Sequence, residues 1–506
     1  MSKEDLDLDR KAQKVREKLK PFFKPESIAV IGASREKETI GWSIFRTLLE
    51  RKREGKLKTN IYGVNIKNGR SLGKKLYKSI LDIEENVEHA IFSIPAKHVP
   101  KAMEEAGKKG VKAATIISAG FSEIGNVELE KKVEKVAKDY GVRVMGPNCM
   151  GIYDPYDGMD TLFTAKYKER NGEKLLSSPR PKKGFITFFS QSGALGVATL
   201  DYMYGQEMGI SKFISAGNMI DIDEEDALLY AFKDPQTRVI SLYIEGLKDG
   251  RKVIKIGKEV TKKKPIVVLK GGQTQAGARA TKSHTASLAG NYRLYLTAFK
   301  QMGAIMTEDL VDFIDFQKAL ALQPPARGEK IGIITNGGGA GILSTDEAER
   351  MGLKVPPFEE EAMEKFNQLI KEDILPEVST FANPCDLTGS GDTRAYSEAT
   401  RVLLEDENFD AVLIIALHHP PTITLDLSRK LCAVSKDYKK PVVMANFGTA
   451  DAAKEIRDDF TRHGVPAYSS PERGMSGLGA LVQYGEYLKS EGELERYLAE
   501  YEKPKI

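Results

Sequence analysis

The chain has 506 residues, too many for one hydrophobic core, and its 41% hydrophobic and 29% charged content is that of a folded globular protein of roughly three domains. A net charge of +4, from 76 basic and 72 acidic residues with no basic stripe interleaved with aromatics, argues against a nucleic-acid partner. No apolar run reaches the roughly 20 residues that span a bilayer, and three cysteines without zinc spacing point to a reducing cytoplasm and away from a metal site, while abundant Lys and Glu lean toward a thermophilic source.

Residues 1–20 read as a charged helical arm. Apolar runs at 27–31, 61–65, 89–94 and 113–117 alternate with helical stretches. Short continuous apolar strands between helices predict a parallel sheet covered on both faces, so 21–152 is expected to form a doubly wound, Rossmann-like domain. Residues 153–183, polar and bearing Pro and Lys, read as a linker or mobile insertion. Further strands are predicted at 185–189, 212–215, 238–244 and 266–270, giving a second α/β domain over 184–322. A second linker is expected at 323–328, a third α/β domain over 329–490 with strands at 331–334, 411–416 and 441–445, and a tail over 491–506.

Three strand-to-helix turns are suited to anions. They are Gly32-Ala33-Ser34, Ser190-Gln191-Ser192-Gly193 and Asn336-Gly337-Gly338. The first turn of a helix leaves N–H groups unpaired at the positive end of the macrodipole, and small residues let a phosphate approach. The first turn lacks the GxGxxG spacing, which discourages a nicotinamide dehydrogenase, and no GxxxxGK[ST] motif occurs anywhere. His284 lies in a run of small and hydroxylated residues from Gly277 to Gly290, read as an exposed loop. A neutral imidazole there is a competent nucleophile toward phosphorus. Glu245 closes the strand at 238–244, at the carboxyl edge where α/β sites gather. Adjacent His418 and His419 are expected to point apart, and His89, His98 and His463 to be structural or incidental. Cys149 is read as part of a tight turn rather than as a nucleophile.

Taken together, Ile31-Gly32-Ala33-Ser34, Gly146-Pro147-Asn148-Cys149-Met150-Gly151, Ser190-Gln191-Ser192-Gly193, Tyr243-Ile244-Glu245-Gly246 and Ser283-His284-Thr285-Ala286-Ser287-Leu288-Ala289-Gly290 resemble the α subunit of the ADP-forming acyl-CoA synthetases, relatives of succinyl-CoA synthetase. The resemblance implies a CoA-binding Rossmann-like domain followed by two flavodoxin-like ligase-CoA domains. It implies a reversible reaction in which acyl-CoA, ADP and phosphate give the acid, CoA and ATP, through an acyl phosphate and a phosphohistidine at His284. Glu245 is implied to hold the imidazole, and Ser190, Ser192 and Gly193 to receive the phosphoryl group. A second phosphate site falls either at Asn336-Gly337-Gly338 or in the turn around His418-His419-Pro420. For CoA the resemblance points to Gly32, Ala33, Ser34, Gly41, Lys67, Ile94 and Pro95. It also implies an ATP-grasp β subunit carrying ADP or ATP with Mg2+, in an α2β2 assembly, and a small carboxylic acid as substrate. A catalytically silent CoA-binding or regulatory module is the alternative.

Overall fold

The computed structural model describes residues 3–285 and 291–504, with the backbone alone for 3–6 and 282–285. The chain folds as two compact units, Met1–Met306 and Thr307–Ile506.

The first unit holds two sheets. One contains β1 (Ser27–Ile31), β2 (Asn60–Val64), β3 (Gly69–Ser71), β4 (Lys74–Tyr77), β5 (His89–Phe92), β6 (Ala113–Ile116) and β7 (Arg143–Met145), in the order β3-β4-β2-β1-β5-β6-β7. Apart from the β3–β4 hairpin its strands are parallel, and β1, β5 and β6 are buried along their whole length. The other sheet contains β8 (Ile152–Asp154), β9 (Met159–Asp160), β12 (Lys183–Ser190), β13 (Ile210–Ser215), β14 (Val239–Ile244), β15 (Ile266–Lys270) and β16 (Ile305–Thr307), in the order β16-β15-β14-β12-β13-β8-β9. Between β9 and β12, β10 (Tyr167–Arg170) and β11 (Glu173–Leu176) form a separate exposed hairpin. Helices α1 (Lys3–Phe23), α2 (Ile40–Arg53), α3 (Val99–Lys108), α4 (Val127–Tyr140), α5 (Gly193–Gly205), α6 (Glu224–Lys233), α7 (Gly250–Thr261), α8 (Gln275–Thr285) and α9 (Tyr292–Gln301) complete the unit.

The second unit carries β17 (Ile331–Thr335), β18 (Thr380–Phe381), β19 (Cys385–Asp386), β20 (Ala411–Ile415), β21 (Val442–Ala445) and β22 (Ala467–Tyr468), in the order β18-β19-β17-β20-β21-β22. Its helices are α10 (Leu310–Leu322), α11 (Gly338–Arg350), α12 (Glu360–Lys371), α13 (Thr393–Glu405), α14 (Leu427–Lys436), α15 (Asp451–Arg462), α16 (Pro471–Ser490) and α17 (Leu494–Glu500). Helix α10 belongs here: Arg473 clasps Asp315 with two bonds of 2.6 and 2.7 Å, and Lys318 donates to Ala467 O at 2.6 Å. The fold class is α/β, with doubly wound, mainly parallel sheets throughout. Among the described residues no helix is long and apolar enough to cross a membrane.

Four expectations are corrected. The charged arm is a packed helix, α1, whose Leu8, Ala12, Leu19, Phe22 and Phe23 are buried. Phe22 meets the His89 ring edge-on at 5.3 Å, and Phe23 stacks on Tyr230 at 4.7 Å. The segment after 152 is no free linker in its first part, because β8 pairs antiparallel with β13 and its charges are matched inside. Lys212 lies 3.1 Å from Asp154, and Arg180 lies 2.9 Å from Asp160. Residues 323–328 are likewise fastened, since Gln323 donates to Gly464 O and accepts from Val442 N. The tail contains α17, whose Leu494 and Leu498 are buried.

Candidate active site

A doubly wound sheet opens a crevice where its winding reverses, outside the carboxyl ends of two neighbouring strands. In the first sheet that place lies between β1 and β5. Gly32 follows β1 at φ +102°, a left-handed conformation that favours glycine. A Cβ there would overlap the Ser93 carbonyl after β5, and one on Gly41, in the first turn of α2, would overlap the Gly32 carbonyl. These contacts make a backbone cradle that side chains would fill. Ala33 is buried, Ser34 Oγ accepts from Glu36 N, and Ser71 donates to Ser34 O. The start of α2 has no side-chain cap, so its first N–H groups are not taken by the Thr39 hydroxyl. Lys67 is exposed, and its turn is tied to the cradle through Asn65, which accepts from Lys67 N and donates to Ala33 O. Ile94 is half-buried beside exposed Pro95, with both of its backbone groups bonded to Ser118 Oγ. Uncapped N–H groups, glycine-lined space and a neighbouring lysine fit a diphosphate such as that of CoA.

In the second sheet the reversal lies between β12 and β14, paired in register up to Ser190↔Tyr243. Ser190 is buried and donates to Ser192 O at 2.7 Å. Ser192 caps α5, its hydroxyl accepting from Leu195 N, and Gly193 begins the helix against Met150, whose sulfur would lie 3.3 Å from any Cβ placed there. Across the crevice, buried Glu245 follows β14, and Tyr243 donates to its Oε1 at 3.3 Å. Burial, reinforced by this carboxylate, pushes the Tyr243 phenol up, which keeps it a donor.

Three residues not predicted from the sequence also build this crevice. Gln191 Oε1 accepts from Glu245 N at 2.5 Å and Gly246 N at 3.1 Å, while its Nε2 donates to Gly246 O at 2.8 Å and Glu224 Oε1 at 2.6 Å. Glu224 is buried at the start of α6, and burial pushes its carboxyl up to about 7. Lys270, buried at the end of β15, donates to Glu245 O and Gly271 O and lies 4.8 Å from the Tyr295 ring centre. Burial lowers its pKa, against the opposing pull of Glu245. Gln191 lay inside a motif already noted, and Lys270 was legible as a lone charge ending an apolar strand.

His284 is corrected from loop to helix, since α8 runs to Thr285; its side chain lies outside the described residues, as do residues 286–290. The helix is anchored beside Glu245. It follows the Gly271-Gly272 turn after β15, a Cβ on Gly271 would lie 3.6 Å from Glu245 Cγ, and one on Gly272 would lie 2.7 Å from Thr281 Oγ1. His284 follows Thr281 by three residues in the sequence of that helix.

In the third sheet the reversal lies between β17 and β20. The two turns that competed for a phosphate role are joined there, because Asn336 Nδ2 donates to Leu417 O at 3.0 Å and Leu417 N donates to Asn336 Oδ1 at 2.8 Å. Gly337 precedes α11 without a side-chain cap, and Gly338 and Gly339 are exposed in its first turn. His418 and His419 do not point apart, since their ring centres are 4.0 Å from each other, and His418 Nδ1 lies 3.2 Å from Asn446 Oδ1. No cluster of three metal-ligating side chains occurs among the described residues. His89 is fully buried, with Nε2 2.8 Å from Thr115 Oγ1, and burial lowers its pKa to about 3; His463 Nδ1 lies 2.8 Å from Asp459 O, four residues back along its own helix. Cys149 is buried, its thiol pushed up to about 12 by burial.

Three family models match in succession: a CoA binding domain over residues 26–155, a succinyl-CoA ligase like flavodoxin domain over 183–320 and a ligase-CoA domain over 331–489. The α subunit of acetate–CoA ligase (ADP-forming) I from Pyrococcus furiosus is 38% identical over 484 residues, covering 93% of this chain and 98% of that one. The acetate–CoA ligase (ADP-forming) of Methanocaldococcus jannaschii is 37% identical over 483 residues, covering 95% of this chain and 65% of that protein. Among solved structures, the dinucleotide forming acetyl-coenzyme A synthetase 1 of Ca. Korarchaeum cryptofilum, in complex with phosphate and ADP, superposes with a TM-score of 0.83 at 33% identity, covering 94% of this chain and 98% of that chain. With crevices of this kind in each sheet and matches along nearly its whole length, the chain belongs to the α subunits of the ADP-forming acyl-CoA synthetases.

Proposed function

We propose that the crevice between β12 and β14 is a phosphoryl-transfer centre served by His284. The observation that carries this is the convergence, at one sheet edge, of the α5 start at Ser192-Gly193, the carboxylate of Glu245 and the foot of the helix that bears His284. CoA thioester enters along Gly32, Ala33, Ser34 and Gly41, with Lys67 beside its phosphates and Ile94-Pro95 along its pantetheine arm. Inorganic phosphate attacks the thioester carbonyl, the C–S bond breaks, and CoA leaves as the thiol while an acyl phosphate forms. An imidazole nitrogen of His284 then attacks phosphorus and the free carboxylate departs. Glu245 holds the other ring nitrogen, fixing the tautomer and offsetting the charge that the ring acquires. The phosphoryl group passes finally to the β-phosphate oxygen of ADP.

Asn336, Gly337 and Gly338, joined to the His418 turn, form the second phosphate seat. The nucleotide site, with its Mg2+, belongs to an ATP-grasp β subunit in an α2β2 assembly in the cytoplasm. About a third of the M. jannaschii relative lies outside its match to this chain, and the P. furiosus relative matched over 98% of its length is named as an α subunit, which supports a nucleotide-binding module on a partner. A catalytically silent module is not favoured, because relatives matched end to end are named as ligase subunits. The test is transfer of label from γ-labelled ATP to this chain in the presence of its β partner and Mg2+. Wild type takes label, acid-labile and alkali-stable as expected of phosphohistidine, and His284→Ala takes none. Undiminished labelling of His284→Ala overturns the assignment.

A further inference from the structure

Gln191 uses its whole hydrogen-bonding capacity within the β12–β14 crevice. Its Oε1 receives the N–H groups of Glu245 and Gly246, and its Nε2 donates to Gly246 O and to Glu224 Oε1. Turning the amide over would set Oε1 against two acceptors and Nε2 against two donors, so one orientation is allowed. On the side away from the Glu245–Gly246 peptide the acceptors for Nε2 are Glu224 Oε1 and, at 3.7 Å, the sulfur of Met219. The arrangement is costly. Glu224 is buried, its Oε2 has no hydrogen-bond partner, and burial has driven its carboxyl up to about 7. A well-packed apolar pair in the same space would be no less stable. The expense falls on Glu224, the partner of the residue lying in sequence between Ser190 and Ser192.

We propose that Gln191, oriented by Glu224, is a positioning residue for phosphoryl transfer: it fixes the Glu245–Gly246 peptide against the start of α5, so that carboxylate and helix terminus address one phosphoryl group at a set separation. This rests on the roles given above to His284 and Glu245. Neither Gln191 nor Glu224 touches the reacting atoms. Their effect is on the spacing of groups that do, and a misplacement of about 1 Å costs on the order of a hundredfold in rate.

The test is single-turnover labelling of the complete αβ enzyme by ATP, with CoA affinity measured alongside. Gln191→Glu places a second carboxylate against Glu224 and is expected to slow labelling about a hundredfold, with CoA affinity unchanged because the Gly32 cradle lies in another sheet. Glu224→Gln keeps an acceptor for Gln191 Nε2 and is expected to slow labelling less than Gln191→Glu does. Combining the two puts a donor opposite the new carboxylate and is expected to recover about tenfold of the lost rate, a rescue that general loss of stability would not give. Should Gln191→Glu fail to fold, Gln191→Asn removes the reach without adding charge and is expected to label about tenfold slower. Wild-type labelling by Gln191→Glu, or by Gln191→Asn in its place, overturns the inference, as does a double variant no faster than Gln191→Glu. A wild-type enzyme that takes no label at His284 overturns the parent reading, and this one with it.

Discussion

The Gly32–Gly41 contact gives a prediction whose size follows from the structure. A methyl group on Gly41 would lie 2.8 Å from Gly32 C and overlap its oxygen, whereas ordinary contact begins at 3.4 Å. The start of α2 and the Gly32 turn must therefore separate by at least 0.6 Å, the difference between those two distances. A donor placed for a bond of about 2.9 Å is then near 3.5 Å from its phosphate oxygen, where little of the bond survives. Bonds to charged groups contribute about 1.5–3 kcal/mol each, so losing one or two costs about 2–4 kcal/mol of CoA binding. That corresponds to a Kd raised about thirty- to several-hundred-fold. Overpacking also destabilises by about 1–3 kcal/mol, and about 1 kcal/mol of this is returned by the better helix propensity of alanine, so Gly41→Ala folds. Gly205→Ala, at the end of α5 with no atom within 4 Å of the new methyl, is the control and binds as wild type does. Calorimetric titration of CoA into each variant makes the comparison. A folded Gly41→Ala chain binding CoA within about threefold of wild type would show that the Gly32–Gly41 contact does not set the cradle, since that difference is under 1 kcal/mol.

The Glu224 carboxyl, pushed up to about 7 from 4.5, keeps its proton in the folded chain across an interval where the unfolded chain has lost it. Wild-type stability therefore falls as pH rises through that window, by about 3 kcal/mol in all. Glu224→Gln removes the loss, so urea denaturation at pH 5 and pH 8 should show the variant gaining on wild type at the higher pH. For Cys149, buried with its thiol pushed up to about 12, thiol reagents at pH 8 leave the native chain unmodified and Cys149→Ala retains phosphate labelling. Loss of labelling in that variant would return the thiol to the mechanism.

The parallel strands were legible because strands buried on both faces read as unbroken apolar runs, as β1, β15 and β20 do. Strands of two or three residues, such as β8, β9, β18 and β19, carry too few positions to show any period. The misread linkers failed for a different reason. Asp154, Asp160 and Gln323 look solvated when only their neighbours in sequence are considered, yet each is buried and partnered by Lys212, Arg180 or the Gly464 carbonyl. Composition cannot separate a hydrated charge from one matched by a distant residue. In α1 the many charges masked the buried Leu8, Leu19 and Phe22. In α8 the small residues that suggested a loop are equally at home in a helix, and alanine favours one. The roles of Gln191 and Glu224 depend on pairing across strands and helices, which spacing along the chain does not encode.

Each of the three sheets sends the strand at its winding reversal, β1, β12 or β17, on into a helix, and the starts of α5 and α11 are rich in Gly and Ala. The first turns of α5 and α11 contain Gly and Ala and no acidic residue, and α5 begins Gly193-Ala194-Leu195 with no Lys or Arg. An anion there meets, from the helix itself, backbone N–H groups and a partial charge of about half a unit. That matters for a carrier. A lysine pressed against a phosphoryl group would add strongly to its binding in a site shielded from water, and a group held so firmly would be slow to move on. In the transfer proposed above, a helix terminus would receive the same group in a fixed direction and with smaller depth, leaving the imidazole–phosphorus bond as the main tether. Glycine at the start of α5, with Gln191 bonded to the Glu245–Gly246 peptide beside it, suits the transfer proposed above, in which His284 hands its phosphoryl group on.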